Sequence, residues 1–392
     1  MKIAIITSAF FESTFPLIRE LRKQHRVDCY SMLSQSFLSP PNFDISQNYR
    51  GETGVITEKE KERLIPNEIK SYFKNDLGFL RLMITGRNNK KWVREMGREV
   101  SNSNYDVIHL IGISLYYKSL LPYFKNKGVI FSLHEVEMAR VLTKFWNVKS
   151  IIKRFLFKKL EKIIYTRPKT RFIVFSKNEY NKLVQKKSVK TENCRIIRFG
   201  LFDVFREYSN KGTLYIPNKS YFLLYGYMNK YKGIDLFFEA AIKMEKSGIQ
   251  FVAAGKDVEG FLSKQKYIPN NLVIINKYLS DSEISYLINN CYAVVMPYRS
   301  ASQSGIQSTA FALNKPIIAS NIDGINEYLI DNYNSLILNE YNLEGLIEVV
   351  NKIMNEKMYS KLLKNIKLNP FKNNNSIDMI SIKTIEEYKL LL

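Results

Sequence analysis

Short apolar runs rich in β-branched residues alternate, along most of the chain, with segments whose apolar positions recur at helical spacing. In the first half, Lys2–Thr7, Arg26–Ser31, Asp106–Ile111, Gly128–Leu133 and Arg171–Phe175 read as strands. Pro16–Gln24 reads as a helix whose proline suits its first position. A further strand at Arg195–Arg198 leads into the irregular stretch Phe202–Asn218. The scheme then repeats, with strands at Tyr221–Gly226, Ile249–Ala254, Leu272–Asn276, Ala293–Met296, Pro316–Ala319 and Ser335–Leu338. Strands apolar on both faces and separated by helices imply parallel sheets covered on both sides. At 392 residues two cores are expected rather than one. The pattern predicts an α/β protein of two doubly wound domains, residues 1–200 and 201–375, facing each other across a cleft. A helix over 376–392 is expected to cross back to the first domain. Between Pro40 and Asn104 the chain is polar and irregular, with one helix predicted near Lys70–Ile84 from Tyr72, Phe73, Leu77, Phe79 and Leu80.

Charge changes the picture. The net charge of +22 exceeds what a small-molecule enzyme needs and implies a polyanionic partner. From Val141 to Lys190 there are fifteen Lys and Arg residues against two acids, Glu161 and Glu179. Within that stretch Ile151, Ile152, Phe155, Leu156, Leu160, Ile163 and Ile164 recur at helical spacing, with Lys153, Arg154, Lys158, Lys159 and Lys162 between them. This is the pattern of a basic helix facing an anionic membrane. The other reading is a surface helix whose apolar side packs on the core and whose lysines are simply solvated. Nucleic acid is not the expected polyanion: the chain lacks zinc-finger spacing, a ribonucleoprotein aromatic motif and an arginine-rich arm. Nothing approaches the roughly 20 consecutive apolar residues of a transmembrane helix. Cys29, Cys194 and Cys291 are few and far apart, forming no metal or disulfide framework, which fits a reducing cytosol.

Candidate chemistry gathers at three strand ends in the second half. The first runs through Gly226 to Lys230-Tyr231-Lys232-Gly233 at a helix start, and the second is Ala254-Gly255-Lys256. The third follows Pro297 as Ser300-Ala301-Ser302-Gln303-Ser304-Gly305. Small residues there let backbone N–H groups approach an anion, and lysine charge and a helix N-terminus favour it further.

In order and spacing, these segments resemble the C-terminal domain of the retaining, nucleotide-sugar-dependent glycosyltransferases of group 1, which have the two-Rossmann GT-B fold. The pieces are Lys232-Gly233-Ile234-Asp235 after Gly226, Ala254-Gly255-Lys256, Asp281–Ile284, Ala312–Ala319, Asp323-Gly324-Ile325-Asn326-Glu327, and Asn332–Leu338. The first half resembles the family more loosely, at Asp106–His109, Ser132–Glu135, Phe175-Ser176-Lys177 and Ile197–Gly200. Two departures stand out. The family's glycine pair after the first strand is replaced by Ala9–Thr14, and the places of its two spaced glutamates are held by Ala301 and Thr309.

The resemblance implies a donor site formed by Gly226, Lys230, Lys232, Gly255, Lys256, Gln303, Ser304, Gly305, Thr309 and Glu327. Lys232 would stabilise the departing diphosphate, and His134 would meet the transferred sugar or assist at the reacting centre. Glu327 would bind the sugar or only cap its helix. His109, inside an apolar strand, reads as a satisfied core histidine. No cofactor or metal is expected, because no Asp-x-Asp is placed to hold a divalent cation. The expected reaction carries a sugar from a UDP- or GDP-sugar to a growing glycan or polyprenyl-linked acceptor in surface polysaccharide synthesis. It would proceed with retention, at the inner face of the cell membrane. A catalytically silent binding subunit and a nucleotide-sugar epimerase on the same fold remain as alternatives.

Overall fold

The computed structural model describes residues 1–7, 10–34, 69–74, 91–137, 148–206, 214–217, 220–301, 303–368 and 374–392. Two wholly parallel sheets organise them. The first has the order β3-β2-β1-β4-β5-β6-β7, with β1 Lys2–Thr7, β2 Arg26–Ser34, β3 Ile69–Lys74, β4 Val107–Ile111, β5 Val129–Leu133, β6 Thr170–Val174 and β7 Cys194–Ile196. The second has the order β10-β9-β8-β11-β12-β13, with β8 Tyr221–Tyr225, β9 Gln250–Ala254, β10 Leu272–Ile275, β11 Cys291–Met296, β12 Ile317–Ala319 and β13 Ser335–Ile337. Alternate residues of each strand feed a core on either face, so each sheet carries two apolar clusters. In both sheets the chain reverses its direction of travel beside the first strand, between β1 and β4 and between β8 and β11. Doubly wound proteins open a crevice for ligands at that reversal.

Two expectations are corrected. The helix predicted near Lys70–Ile84 begins instead as the edge strand β3, paired with β2 from Cys29↔Ile69 to Ser34↔Lys74. Its aromatic positions suit a strand as well as a helix, and the free edge of β2 decides between them. The remainder of that expected helix lies outside the described residues. The first helix spans Phe11–Leu21 and carries Pro16 inside it rather than at its start. The Phe10 carbonyl accepts from the Thr14 N–H at 3.1 Å, the Thr14 hydroxyl at 2.7 Å and the Ser13 hydroxyl at 3.0 Å, which starts the helix upstream of the proline.

The helix Ile377–Lys389 packs beside Phe11–Leu21, against the first sheet. Its Glu387, 2% exposed, pairs with Arg171 at 2.8 Å and Arg195 at 3.4 Å. Its Tyr388 hydroxyl lies 2.8 Å from His109 Nδ1, and His109 Nε2 lies 2.7 Å from the Ser132 hydroxyl. His109 is thus a satisfied core histidine, and burial lowers its pKa to about 3, keeping it neutral. The chain passes between the two sheets twice, after β7 and before the last helix. The two passages are pinned by the Leu201 N–H donating to the Asn375 carbonyl at 2.9 Å. Removing one member of a buried charge pair leaves the other uncompensated. Glu387→Ala is therefore expected to destabilise the protein by about 3 kcal/mol, read as a lower midpoint of urea unfolding.

Candidate functional site

The second sheet builds its crevice from backbone that passes itself very closely. Gly226 follows β8 at φ 99 and Gly255 follows β9 at φ 142. A Cβ on Gly255 would lie 1.8 Å from the Gly226 carbonyl oxygen. Gly233, at φ 73, opens the helix Ile234–Lys243, and a Cβ there would lie 1.9 Å from the Pro297 carbonyl oxygen. The Lys230–Lys232 turn is therefore pressed against the end of β11. The Lys232 ammonium folds back over Gly226, 2.6 Å from where a Cβ would stand, and 5.7 Å from the centre of the Tyr298 ring. Among the described residues no carboxylate lies within salt-bridge distance of it, since the neighbouring Asp235 is held by Arg299 at 2.7 and 2.9 Å. Burial lowers the Lys232 pKa to about 8.

The third strand end completes this edge. Ser304 caps the helix Gly305–Ala312 by accepting from the Ile306 N–H at 3.3 Å, and the Ile306 side chain approaches Gly226. Thr309 is buried, and its hydroxyl donates to the Gly305 carbonyl at 3.0 Å. Phe202, from the passage between the sheets, packs so closely on Gly305 that a Cβ there would meet its ring at 2.9 Å. Gly226, Lys232, Gly255, Ser304, Gly305 and Thr309 thus converge at the chain reversal. Lys230 has an exposed side chain and Lys256 a half-buried one, both on the rim.

His134, after β5, reaches the same region from the first domain. It is 3% exposed, stacked on Phe10 with ring centroids 3.4 Å apart, and packed against Phe175 and Phe199. Gln303 crosses from the other domain. Its Nε2 donates to the His134 carbonyl at 3.1 Å and lies 3.3 Å from Nδ1. With Nδ1 facing an N–H donor, the ring proton sits on Nε2, a buried atom with no hydrogen-bond partner. Burial lowers the His134 pKa to about 3, so the ring is a neutral donor rather than a cation.

Glu327 is elsewhere. Its carboxylate accepts from the Lys177 N–H at 2.7 Å and the Asn178 N–H at 3.3 Å, and lies 3.8 Å from Arg198. Next to it, the Tyr328 hydroxyl donates to the Phe175 carbonyl at 2.9 Å. It caps a helix of the opposite domain rather than its own. Sequence reading also missed Phe10, Phe175, Phe199 and Tyr298, whose one signal was an aromatic at or just beyond a strand end. Among the described residues no three His, Cys, Asp or Glu side chains form a metal-binding group.

Residues 207–369 match the family model for glycosyl transferases group 1. This part of the chain is similar to the group 1 glycosyl transferases. The chain is 27% identical over 158 residues to an uncharacterised glycosyltransferase of Methanocaldococcus jannaschii, a match that covers 39% of this chain and 44% of that relative. It is similar in fold to a glycosyltransferase from Rickettsia africae (TM-score 0.68, 14% identity, 100% of this chain and 98% of that one). It is also similar to HepE from Anabaena, solved with UDP-glucose (TM-score 0.67, 11% identity, both chains fully covered). The UDP-GlcNAc 2-epimerase of Neisseria meningitidis shares the fold as well (TM-score 0.60, 12% identity, both chains fully covered). The architecture is GT-B. In the second domain the glycine contacts are strict. Gly255→Ala must displace the Gly226 turn, and a loss of about 3 kcal/mol is expected in thermal or urea unfolding.

Proposed function

We propose that the protein transfers a sugar from a nucleoside diphosphate sugar to a glycan acceptor, with retention of configuration. The observation that carries this is the half-buried Lys232, whose desolvated ammonium lacks a carboxylate partner among the described residues and lies over the Gly226 turn at the chain reversal. A cation held out of water without a counter-charge is costly unless an anionic ligand completes it. As charge develops on the departing diphosphate, Lys232 and the N–H groups at the start of Gly305–Ala312 stabilise it more than they stabilise the bound donor. The neutral His134 and Gln303 supply donor and acceptor groups for sugar hydroxyls, and attack on the face the leaving group vacates accounts for retention. UDP is the first candidate, because UDP-glucose is the ligand named for HepE.

Thermal-shift measurements with UDP, GDP, ADP and TDP test this. One nucleotide is expected to raise the melting temperature of the wild type and leave that of Lys232→Ala unchanged. No shift with any of them would favour a silent binding subunit, and turnover of donor without acceptor would favour an epimerase. The pH dependence follows from the lysine. A diphosphate binds the protonated amine, so affinity is full below about pH 8. It falls as pH rises through that value, by up to tenfold per pH unit, and calorimetric titration reads it directly.

The reading includes docking on an anionic lipid surface in polysaccharide synthesis. The helix Val148–Tyr165 turns Phe157, Leu160 and Ile164 to the core. Its outer face exposes Ile151 (56%) and Phe155 (57%) among Arg154, Lys158, Lys159 and Lys162. Lys153 is also on this helix. Apolar side chains at the crest of a basic face suit a bilayer interface, where each basic residue adds about 1 kcal/mol. Ile151→Ser with Phe155→Ser is expected to cut retention on phosphatidylglycerol vesicles at least severalfold in co-sedimentation. Equal retention of variant and wild type would remove the lipid surface from the reading.

A further inference from the structure

Two tyrosine hydroxyls at neighbouring strand ends are buried and have no hydrogen-bond partner. Tyr225 is the last residue of β8, directly ahead of Gly226. Tyr298 follows Pro297 just beyond β11, the neighbouring strand across the chain reversal. Their side chains belong to the same apolar cluster, 6% and 3% exposed. Each hydroxyl has a second one nearby, Tyr225 by Thr309 and Tyr298 by Ser304, outside hydrogen-bond geometry. Neither neighbour is idle: Thr309 donates to the Gly305 carbonyl and Ser304 accepts from the Ile306 N–H.

A buried hydroxyl with no partner is costly, and native proteins keep few of them. Two at neighbouring strand ends, with the Lys232 ammonium 5.7 Å from the centre of the Tyr298 ring, mark polar groups whose partner comes from outside the chain. Burial pushes both phenols well above their ordinary pKa, so they remain protonated donors. The set assembled here is an ammonium and hydroxyls. A ribose or hexose diol needs acceptors as well as donors and is commonly met by a carboxylate, whereas phosphate oxygens only accept. The departures from the family pattern point the same way, since Ala301 and Thr309 leave the nearby helix start without negative charge to repel an anion.

We propose that the Tyr225 and Tyr298 hydroxyls donate to the diphosphate of the bound nucleotide and, with Lys232, hold the charge that develops on it. This rests on the nucleotide-sugar reading of the crevice and adds the groups that contact its phosphates. Tyr221, on the same strand, provides the contrast: it is equally buried, but its hydroxyl already donates to the Leu287 carbonyl at 2.7 Å.

The test compares Tyr225→Phe, Tyr298→Phe and Tyr221→Phe by thermal unfolding of the free protein and by calorimetric titration with UDP and with pyrophosphate. Deleting an unpartnered hydroxyl removes a desolvation cost, so the first two variants are expected to melt at or above the wild-type temperature. They are expected to lose about tenfold or more in affinity for both ligands, as for a hydrogen bond to a charged group. Tyr221→Phe is expected to melt lower and bind as wild type does. Wild-type affinity in both Tyr225→Phe and Tyr298→Phe would overturn the proposal. So would a fall in their melting temperature matching that of Tyr221→Phe, because the hydroxyls would then be bonded within the protein. Failure of the wild type itself to bind UDP, GDP or pyrophosphate would instead remove the nucleotide-sugar reading on which the proposal stands.

Discussion

The edge formed by the ends of β8, β9 and β11 depends on how closely two turns can pass. Only because Gly255 lacks a side chain can the end of β9 lie on the Gly226 carbonyl, and only because Gly233 lacks one can the Lys232 turn seat on Pro297. These approaches remove water from around the Lys232 amine and set its altered acidity. Electrostatic strength here is a product of backbone packing, since a fixed charge acts more strongly where solvent cannot rearrange around it.

The second element of the site is contact between the domains. Gln303 reaches the His134 carbonyl, Glu327 caps the 177–181 turn, and Tyr328 reaches Phe175, so three side chains of the second domain end on the backbone of the first domain. The first-domain segments they touch, just after β5 and β6, carry His134 and Phe175, which pack against each other. The aromatic group of Phe10, His134, Phe175 and Phe199 is thereby held from both sides. Its chemistry is neutral: a ring kept uncharged by burial and an amide. Charge is concentrated on the lysine side of the crevice.

How much of this was legible in the chain follows from the range over which each constraint acts. The strands were legible because burial on both faces of a parallel sheet writes short, unbroken apolar runs, and their ends fell within a few residues of those expected. The Gly226, Lys232 and Gly255 turns were legible because a glycine at a strand end, followed by lysine, is a local pattern with a local cause. Strand β3 was not, because Tyr72 and Phe73 fit a helix face until the open edge of β2 is known. The same holds for Glu327, whose partners are about 150 residues away in sequence, and for the Phe10–His134 stack, which joins the ends of β1 and β5. Tyr225 and Tyr298 looked like core aromatics, and their apolar rings are; only the full inventory of partners exposes the hydroxyls.

The two passages between the sheets, pinned together where Leu201 meets Asn375, have a mechanical meaning. Two covalent links side by side resist sliding and twisting of one domain on the other and leave rotation about the line through them as the soft motion. Glu327 and Tyr328 sit close to those links, beside Arg198, Asn374 and Asn375, so they stiffen the pivot itself. Turning one domain on the other must therefore strain these polar contacts together with the links, and a ligand that bridges both domains would add to the same resistance.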